Sequence, residues 1–472
     1  MRILLLAMPD ASHNFFRVMK VPQLGLCSLA AALEGHEVRI ADLVLVHRRI
    51  GAWLSRLLAE FRPELVGISC MSFQYPSALK TARICRAVDP RVKIVLGGYH
   101  PTLQAWEIAG EGECPADFLV RGEGEETLPG LVLLLEAGAE DFSSLPGLSW
   151  RRRGEIVHNP AGGLLDLGTV PLPDRQARLL GGFNYFGRKL DCIETSRGCT
   201  RPCSFCSISG MYGRSFRTFE FERILADLEG LRRAGTETIL IVDDNITLDA
   251  PRLKRLCAAI AERGLAGMEY IVQGSVAGIA GEPELAPLMA AANFRLVFLG
   301  IESVQVKNLD FLRKGDIRGA TAKAVGLLRR HGIAVMGGFI VGNPDDTEED
   351  VREVFRTARR LKVDLPVVQC VTPYPATAIR KPLLESGLVT NPGDLSRYNG
   401  FICNVRTRHL DNRRLNRILN RENMKLFFNP GWFRDNHFVR RREKGAFKVL
   451  LNNLEFVRGW FTGNQFISRH RF

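Results

Sequence analysis

Short apolar runs of strand length recur at 2–7, 37–42, 65–69, 93–97 and 118–121, and segments with apolar residues at helical spacing lie between them, at 24–34, 50–61 and 77–88. Strand and helix alternate through short Gly/Pro connections. That pattern predicts successive parallel βαβ units, an open doubly wound, Rossmann-like α/β sheet over residues 1–140. The alternation breaks over 141–185, where LPGLSWRRRGEIVHNP resembles a hairpin and VPLPDR a proline-punctuated linker. It resumes with strand candidates at 191–196, 238–243, 268–273, 296–300, 334–341 and 366–371, separated by helical segments near 220–234, 250–263, 283–292, 316–331 and 347–361. Six βα units in unbroken order over 186–385 predict a partial barrel or a second open sheet, and periodicity does not choose between them. From about 400 the strand pattern stops. Residues 386–472 read as a basic, aromatic-rich helical appendage, with helical spacing at 445–462.

With 46% hydrophobic and 24% charged residues, the 472-residue chain is an ordinary globular one, not a disordered or fibrous one. Its longest nearly uncharged apolar run, 332–342, falls well short of the roughly 18 residues of a bilayer crossing. The opening MRILLLAMPD is broken by Pro9 and Asp10 and reads as a first strand, so a cytoplasmic location is expected. The net charge of +13 is unevenly placed: 401–472 holds sixteen Lys/Arg against five Asp/Glu, leaving +2 for the first 400 residues. Basic residues beside Phe and Trp suit, foremost, a solvated helical cap whose aromatics pack on the rest of the fold, and otherwise peripheral contact with an anionic membrane surface or docking of an acidic protein such as flavodoxin or ferredoxin. No recognisable DNA-reading module accompanies them, and a nucleic-acid partner is not expected.

Seven of the eleven cysteines (27, 70, 85, 114, 257, 370 and 403) are scattered singly in apolar contexts and are expected to be reduced core residues. The other four crowd into TSRGCTRPCSFCSIS and the strand before it. Cys199, Cys203 and Cys206 are spaced C-x-x-x-C-x-x-C directly after a strand. Three thiolates on one loop can hold three irons of a [4Fe–4S] cube and leave the fourth open to another ligand. Structural zinc, the competing reading, wants four N/S ligands, and the one nearby candidate, Cys192, sits back on the strand.

This spacing, with Phe205 just before the third cysteine, resembles the radical S-adenosylmethionine (radical SAM) family, whose fold is a partial six-stranded (β/α) barrel. Further stretches fall in the family's order. VDDN (242–245) ends the second strand, where the resemblance puts Asp243 and Asp244 toward the methionine amino group. Gln273 ends the third strand as a lining residue. GIES (300–303) ends the fourth, with Glu302 toward the ribose, and GGFIVGNP (337–344) puts Gly338 and Gly342 along the adenine. The resemblance implies a [4Fe–4S] cluster and S-adenosylmethionine as cofactors, with homolytic cleavage to a 5′-deoxyadenosyl radical. Cofactors then carry the hard step and no conventional acid–base constellation is expected.

An open α/β domain ahead of such a core resembles the cobalamin-binding subgroup of the family. In open α/β sheets ligands sit beyond the carboxyl ends of the strands. The loops there carry Ser69 and Ser72, Gly97, Gly98 and His100 in GGYHPT, and Gly122 and Gly124 in RGEGEET; these are the candidate corrinoid contacts, unless the glycines only form tight turns. The motif D-x-H-x-x-G, whose His binds cobalt from below in many cobalamin folds, is not matched. PDASHNFFR places Asp10 and His13 three apart with no Gly following, which implies base-off cobalamin without a His ligand.

The resemblance implies abstraction of hydrogen from an unactivated carbon, foremost for C-methylation of a lipid, other hydrophobic natural product or small molecule. Oxidative cyclisation or rearrangement without methyl transfer is the alternative within the family. A non-catalytic Fe–S or corrinoid redox sensor is the alternative from another class.

Overall fold

The computed structural model describes residues 1–9, 19–110, 114–427 and 429–437. Five strands, β1 (Arg2–Ala7), β2 (Glu37–Asp42), β3 (Leu65–Ser69), β4 (Lys93–Gly97) and β5 (Phe118–Val120), pair in parallel in the order β2-β1-β3-β4-β5. Their apolar runs are continuous because both faces are buried. Leu4 and Leu6 enter one core with Leu54, Leu58, Ala78 and Ala82, while Ile3, Leu5 and Ala7 enter the opposite one with Leu26, Ala30, Leu128 and Leu131. The hairpin at the end of this unit, β6 (Leu148–Arg152) and β7 (Glu155–His158), adds antiparallel to β5 with Phe118 opposite Trp150, so it extends the first sheet to seven strands.

The second sheet contains six parallel strands in chain order, β8 (Arg188–Ile193), β9 (Thr238–Ile241), β10 (Glu269–Ser275), β11 (Phe294–Glu302), β12 (Ala334–Val341) and β13 (Leu365–Cys370). Two-residue antiparallel strands, Asn184–Tyr185 and then Met19–Lys20, extend its first edge, so a segment from the N-terminal part of the chain joins this sheet. Side chains alternate between two environments: Val272 packs outward beneath the helices, and Ile271 packs inward. The inward set (Leu190, Cys192, Ile271, Leu296, Ala334 and, from the last strand, Leu365) forms one cluster with Tyr185, Phe186 and Trp432. First and last strands sharing an interior means that the sheet curls into a half-barrel, the first of the two architectures that periodicity left open. Trp432 is one aromatic of the basic tail that packs into the barrel. The stretch 445–462, like Asp10 and His13, lies outside the described residues.

One expectation about the cysteines is corrected. Cys370 and Cys403 are not separate reduced thiols; they form a disulfide. The Cys370 N–H donates to Gly400 O at 2.8 Å, which lays the 400–403 segment beside the end of β13 and brings the two α-carbons to 5.4 Å. Among the described residues no helix is long and apolar enough to cross a membrane.

Candidate active site

The loop after β8 is closed at its base by a two-stranded antiparallel pair, Ser196–Arg197 with Arg217–Thr218. Within it stand Cys199, Cys203 and Cys206, and the short helix Ile208–Tyr212 follows. These three thiols are half-buried, whereas the six other free cysteines are buried. Residues between the thiols anchor the loop. Ser204 N–H donates to Leu312 O at 3.1 Å, Ser204 Oγ to Phe311 O at 2.9 Å, and Ile379 N–H to Ser204 O at 3.1 Å. Phe205 packs against the apolar cluster that includes Leu312, Ile340 and Val371, so it holds the loop to the core. Burial raises the pKa of Cys203 and pushes Cys206 up to about 12, so a metal that binds there must displace protons.

The two aspartates after β9 have different surroundings. Asp243 is fully buried and accepts from Thr195 N–H at 2.6 Å, Thr195 Oγ1 at 2.5 Å and Ser196 Oγ at 2.6 Å. Both its oxygens are thus occupied in fixing the strand that leads into the cysteine loop. Asp244 accepts from Gly198 N–H at 2.9 Å through one oxygen only, and burial pushes its pKa up to about 6. It lies beside Cys206 and two tyrosines, Tyr99 and Tyr212, so it is the aspartate that faces the cysteines.

Gln273, exposed on the inward face of β10, is in register with Phe298 on β11. Gly338 lies against the Phe298 ring, whose Cζ stands 2.6 Å from where a β-carbon would be. Gly342 has φ +83°, donates to Asp346 at 2.8 Å and packs on Leu415, so the turn itself requires glycine there. Glu302, at φ +61° where the β11–β12 register shifts, accepts from Lys314 Nζ at 2.8 Å. Burial works against the Lys314 charge, but Glu302 and the Cys203 thiolate outweigh it and raise its pKa. Lys314 therefore brings a fixed positive charge to Cys203 and Cys199. It carried no motif to mark it and meets Glu302 only through the intervening helix Val306–Phe311.

In the first domain the predicted loops meet one another. Cys70 N–H donates to Gly97 O at 3.0 Å and His100 N–H to Cys70 O at 3.1 Å, stitching the Ser69–Ser72 loop to the Gly97–His100 loop. Gly98, at φ +90°, has no room for a β-carbon, with Ser69 Oγ and Cys70 O at 3.0 and 3.1 Å. Gly97 and Gly122 have space around them, whereas Gly124 packs on Leu29. His100 is buried, lies 3.2 Å from Ser72 Oγ and packs on the Tyr75 ring at 4.2 Å, so it supports the loop from beneath. Burial lowers its pKa to about 4. An unfolded histidine takes up a proton near pH 6.5 and the folded one does not, so stability should fall as pH drops from 6.5 toward 4. His100→Gln should remove about 2 kcal/mol of the wild-type loss between pH 7 and 5, read from urea midpoints.

The carboxyl edges of the two sheets face each other. Tyr99, after β4, meets Tyr212 edge-on with ring centres 6.5 Å apart, close to Asp244 and Cys206. Leu103 comes within 2.6 Å of the position a β-carbon would take on Gly210. Glu123 and Glu125, beyond β5, bind Arg197 at 2.8 and 2.7 Å. None of these interdomain contacts was legible in the sequence, because each joins residues about 70 to 110 positions apart. The donor set suits a cubane cluster: three half-buried thiols on one loop can each hold one iron and leave the fourth open.

Two family models match the chain, a B12 binding domain over residues 17–132 and the radical SAM superfamily over 193–358. An uncharacterized methyltransferase of Pyrococcus horikoshii is 28% identical over 433 residues, covering 90% of this chain and 93% of its own. Hopanoid C-3 methylase of Methylococcus capsulatus is 30% identical over 371 residues, covering 76% of this chain and 68% of its own. The structure of TsrM from Kitasatospora setae, a radical S-adenosylmethionine methyltransferase with cobalamin and a [4Fe–4S] cluster bound, superposes with a TM-score of 0.67 at 21% identity, over 83% of this chain and 79% of that one.

Proposed function

The chain belongs to the cobalamin-binding radical SAM family, and from that premise we propose that it methylates an unactivated carbon of a hydrophobic, lipid-like substrate. The family's cofactors are a [4Fe–4S] cluster, S-adenosylmethionine and cobalamin. Together they supply a hydrogen-abstracting radical and a transferable methyl group. The observation that carries the reading is the apposition of the two carboxyl edges through Tyr99 and Tyr212. A corrinoid held by the loops at the carboxyl edge of the first sheet would lie near the half-barrel mouth and could supply the methyl group there.

Cys199, Cys203 and Cys206 would hold the cluster, and Lys314 beside them would offset its negative charge. Asp244, Gln273, Glu302 and the backbone at Gly338 line the S-adenosylmethionine side, and Asp243 and Phe205 hold those elements in place. On the corrinoid side, Gly97 and Gly122 leave room for close approach, while Ser69, Gly98 and the Ser72–His100 pair shape the supporting loop. Gly124 and Gly342 belong to packing and turn geometry. A lipid-like substrate is supported by the relation to hopanoid C-3 methylase and by the basic aromatic tail, which suits peripheral contact with an anionic membrane. Enzymes of this family need a reductant, and an acidic flavodoxin or ferredoxin complements the same basic charge.

The test is anaerobic turnover with dithionite, hydroxocobalamin and methyl-labelled S-adenosylmethionine on a bacterial lipid extract, with and without anionic vesicles. Label in a lipid product, increased by vesicles, is expected. Formation of 5′-deoxyadenosine with an unlabelled altered product would establish cyclisation or rearrangement instead. Absence of 5′-deoxyadenosine would leave the sensor reading.

A further inference from the structure

A heavily bonded ionic cluster between the two domains centres on Arg197. It donates to both oxygens of Glu194 at 2.7 and 2.9 Å, to Glu123 at 2.8 Å and to Glu125 at 2.7 Å. Glu123 also receives Arg217 through both oxygens, at 2.9 and 3.0 Å, and Leu165 N–H at 2.9 Å. The Glu123 side chain is 2% exposed and that of Arg197 8%, so water cannot replace a partner that moves away. Two arginines and three glutamates in so dry a place are an expensive way to hold domains together, because apolar residues of similar volume do it at least as well. What charge adds is a fixed register: each Glu123 oxygen accepts two donors, and displacement of the loop breaks several charge-assisted bonds at once.

The covalent neighbours of this ion pair give it significance. Glu123 directly follows Gly122, the left-handed glycine with open space at the carboxyl edge of the first sheet. Arg197 directly precedes Gly198 and Cys199. One buried ion pair therefore joins the residue after Gly122 to the residue two before the first cluster cysteine. We propose that the Arg197–Glu123–Glu125 network couples the two cofactor sites, so that a seated cluster and a seated corrinoid each strengthen binding of the other. In this coupling Arg197, Glu123 and Glu125 act as positioning residues, through one another and the loops they join. The inference needs both cofactors to bind but does not depend on whether a methyl group is transferred.

Hydroxocobalamin is titrated by absorbance into the full chain before and after anaerobic cluster reconstitution. Wild type should bind it ~10-fold more tightly with the cluster in place, and by linkage the corrinoid should slow iron loss to a chelator. Glu125→Gln, which alters one bond, should shrink the ratio to ~3, and Arg197→Lys, which keeps the charge but loses the fork, should bring it to ~1. Arg263→Ala, a surface ion-pair variant, should leave it unchanged. Glu125→Gln is the mild variant should Arg197→Lys fold poorly. An equal ratio in wild type and Glu125→Gln, or a wild-type ratio of one, overturns the coupling. Failure of wild type to bind hydroxocobalamin at all is a separate result, which removes the corrinoid reading and the coupling with it.

Discussion

Alanine at Cys199, Cys203 or Cys206 should abolish the brown absorbance of reconstituted protein and with it all 5′-deoxyadenosine formation, whereas Cys192→Ala should keep both. A cubane held by three thiolates has no spare protein ligand, so loss of one corner should take iron from ~4 per chain to near zero. Loss of groups that merely orient ligands typically costs roughly 10–100-fold, and loss of a ligand itself must exceed that. Cys192 lies close in sequence but outside the loop that carries the other three. It is fully buried in the half-barrel interior with Leu190 and Ile271, burial raises its pKa well above the ordinary thiol value, and its carbonyl is held by Arg175 at 2.7 Å. Its truncation should cost about 1 kcal/mol in lost burial and leave the iron content alone. Retention of a full cluster in Cys203→Ala, or its loss in Cys192→Ala, would reassign the ligand set.

The contrast between Cys192 and its neighbours shows what can be read from the chain. Strand periods, helix spacing and the cysteine spacing are local, so the six barrel strands and the ligand loop emerge within a few residues of their places in the structure. The Leu65–Ser69 and Lys93–Gly97 runs coincide with strands because strands buried on both faces leave no polar alternation to blur their ends. Long-range pairings leave no such mark. Lys314 beside Glu302, Tyr99 against Tyr212, Glu123 on Arg197 and the Cys370–Cys403 disulfide all depend on how loops from separate units come together. The curl of the second sheet is of the same kind, because it becomes visible only when Leu190 and Leu365 share one interior. Motif order could nominate Asp243 and Asp244 together. Only their hydrogen bonds separate a carboxylate with both oxygens engaged on Thr195 and Ser196 from one with an oxygen to spare.

Gly198→Ala should be among the most damaging single-methyl additions in the chain, and Gly122→Ala is its control. Both glycines lie in the left-handed region, at φ +89° and +80°, where an alanine costs about 1–2 kcal/mol. They differ in what a β-carbon would meet. At Gly122 nothing lies within 4 Å, so the backbone term should be nearly the whole effect. At Gly198 the Ser215 carbonyl oxygen lies 2.5 Å away, and a backbone atom cannot swing aside as a side-chain tip can. Ser215 is fixed through the Arg217–Thr218 strand that closes the base of the loop, so relief requires moving Gly198 itself. That movement pulls its N–H from Asp244 and strips a half-buried carboxylate of its hydrogen bond, a further roughly 1.5–3 kcal/mol. Urea midpoints should therefore place Gly198→Ala about 2–3 kcal/mol below Gly122→Ala. Iron per chain should fall in the first and stay near wild type in the second, because Cys199 moves with its neighbour. Equal stability and equal iron in the two variants would mean that the cysteine loop accommodates the methyl group, and that Asp244 does not hold it in register.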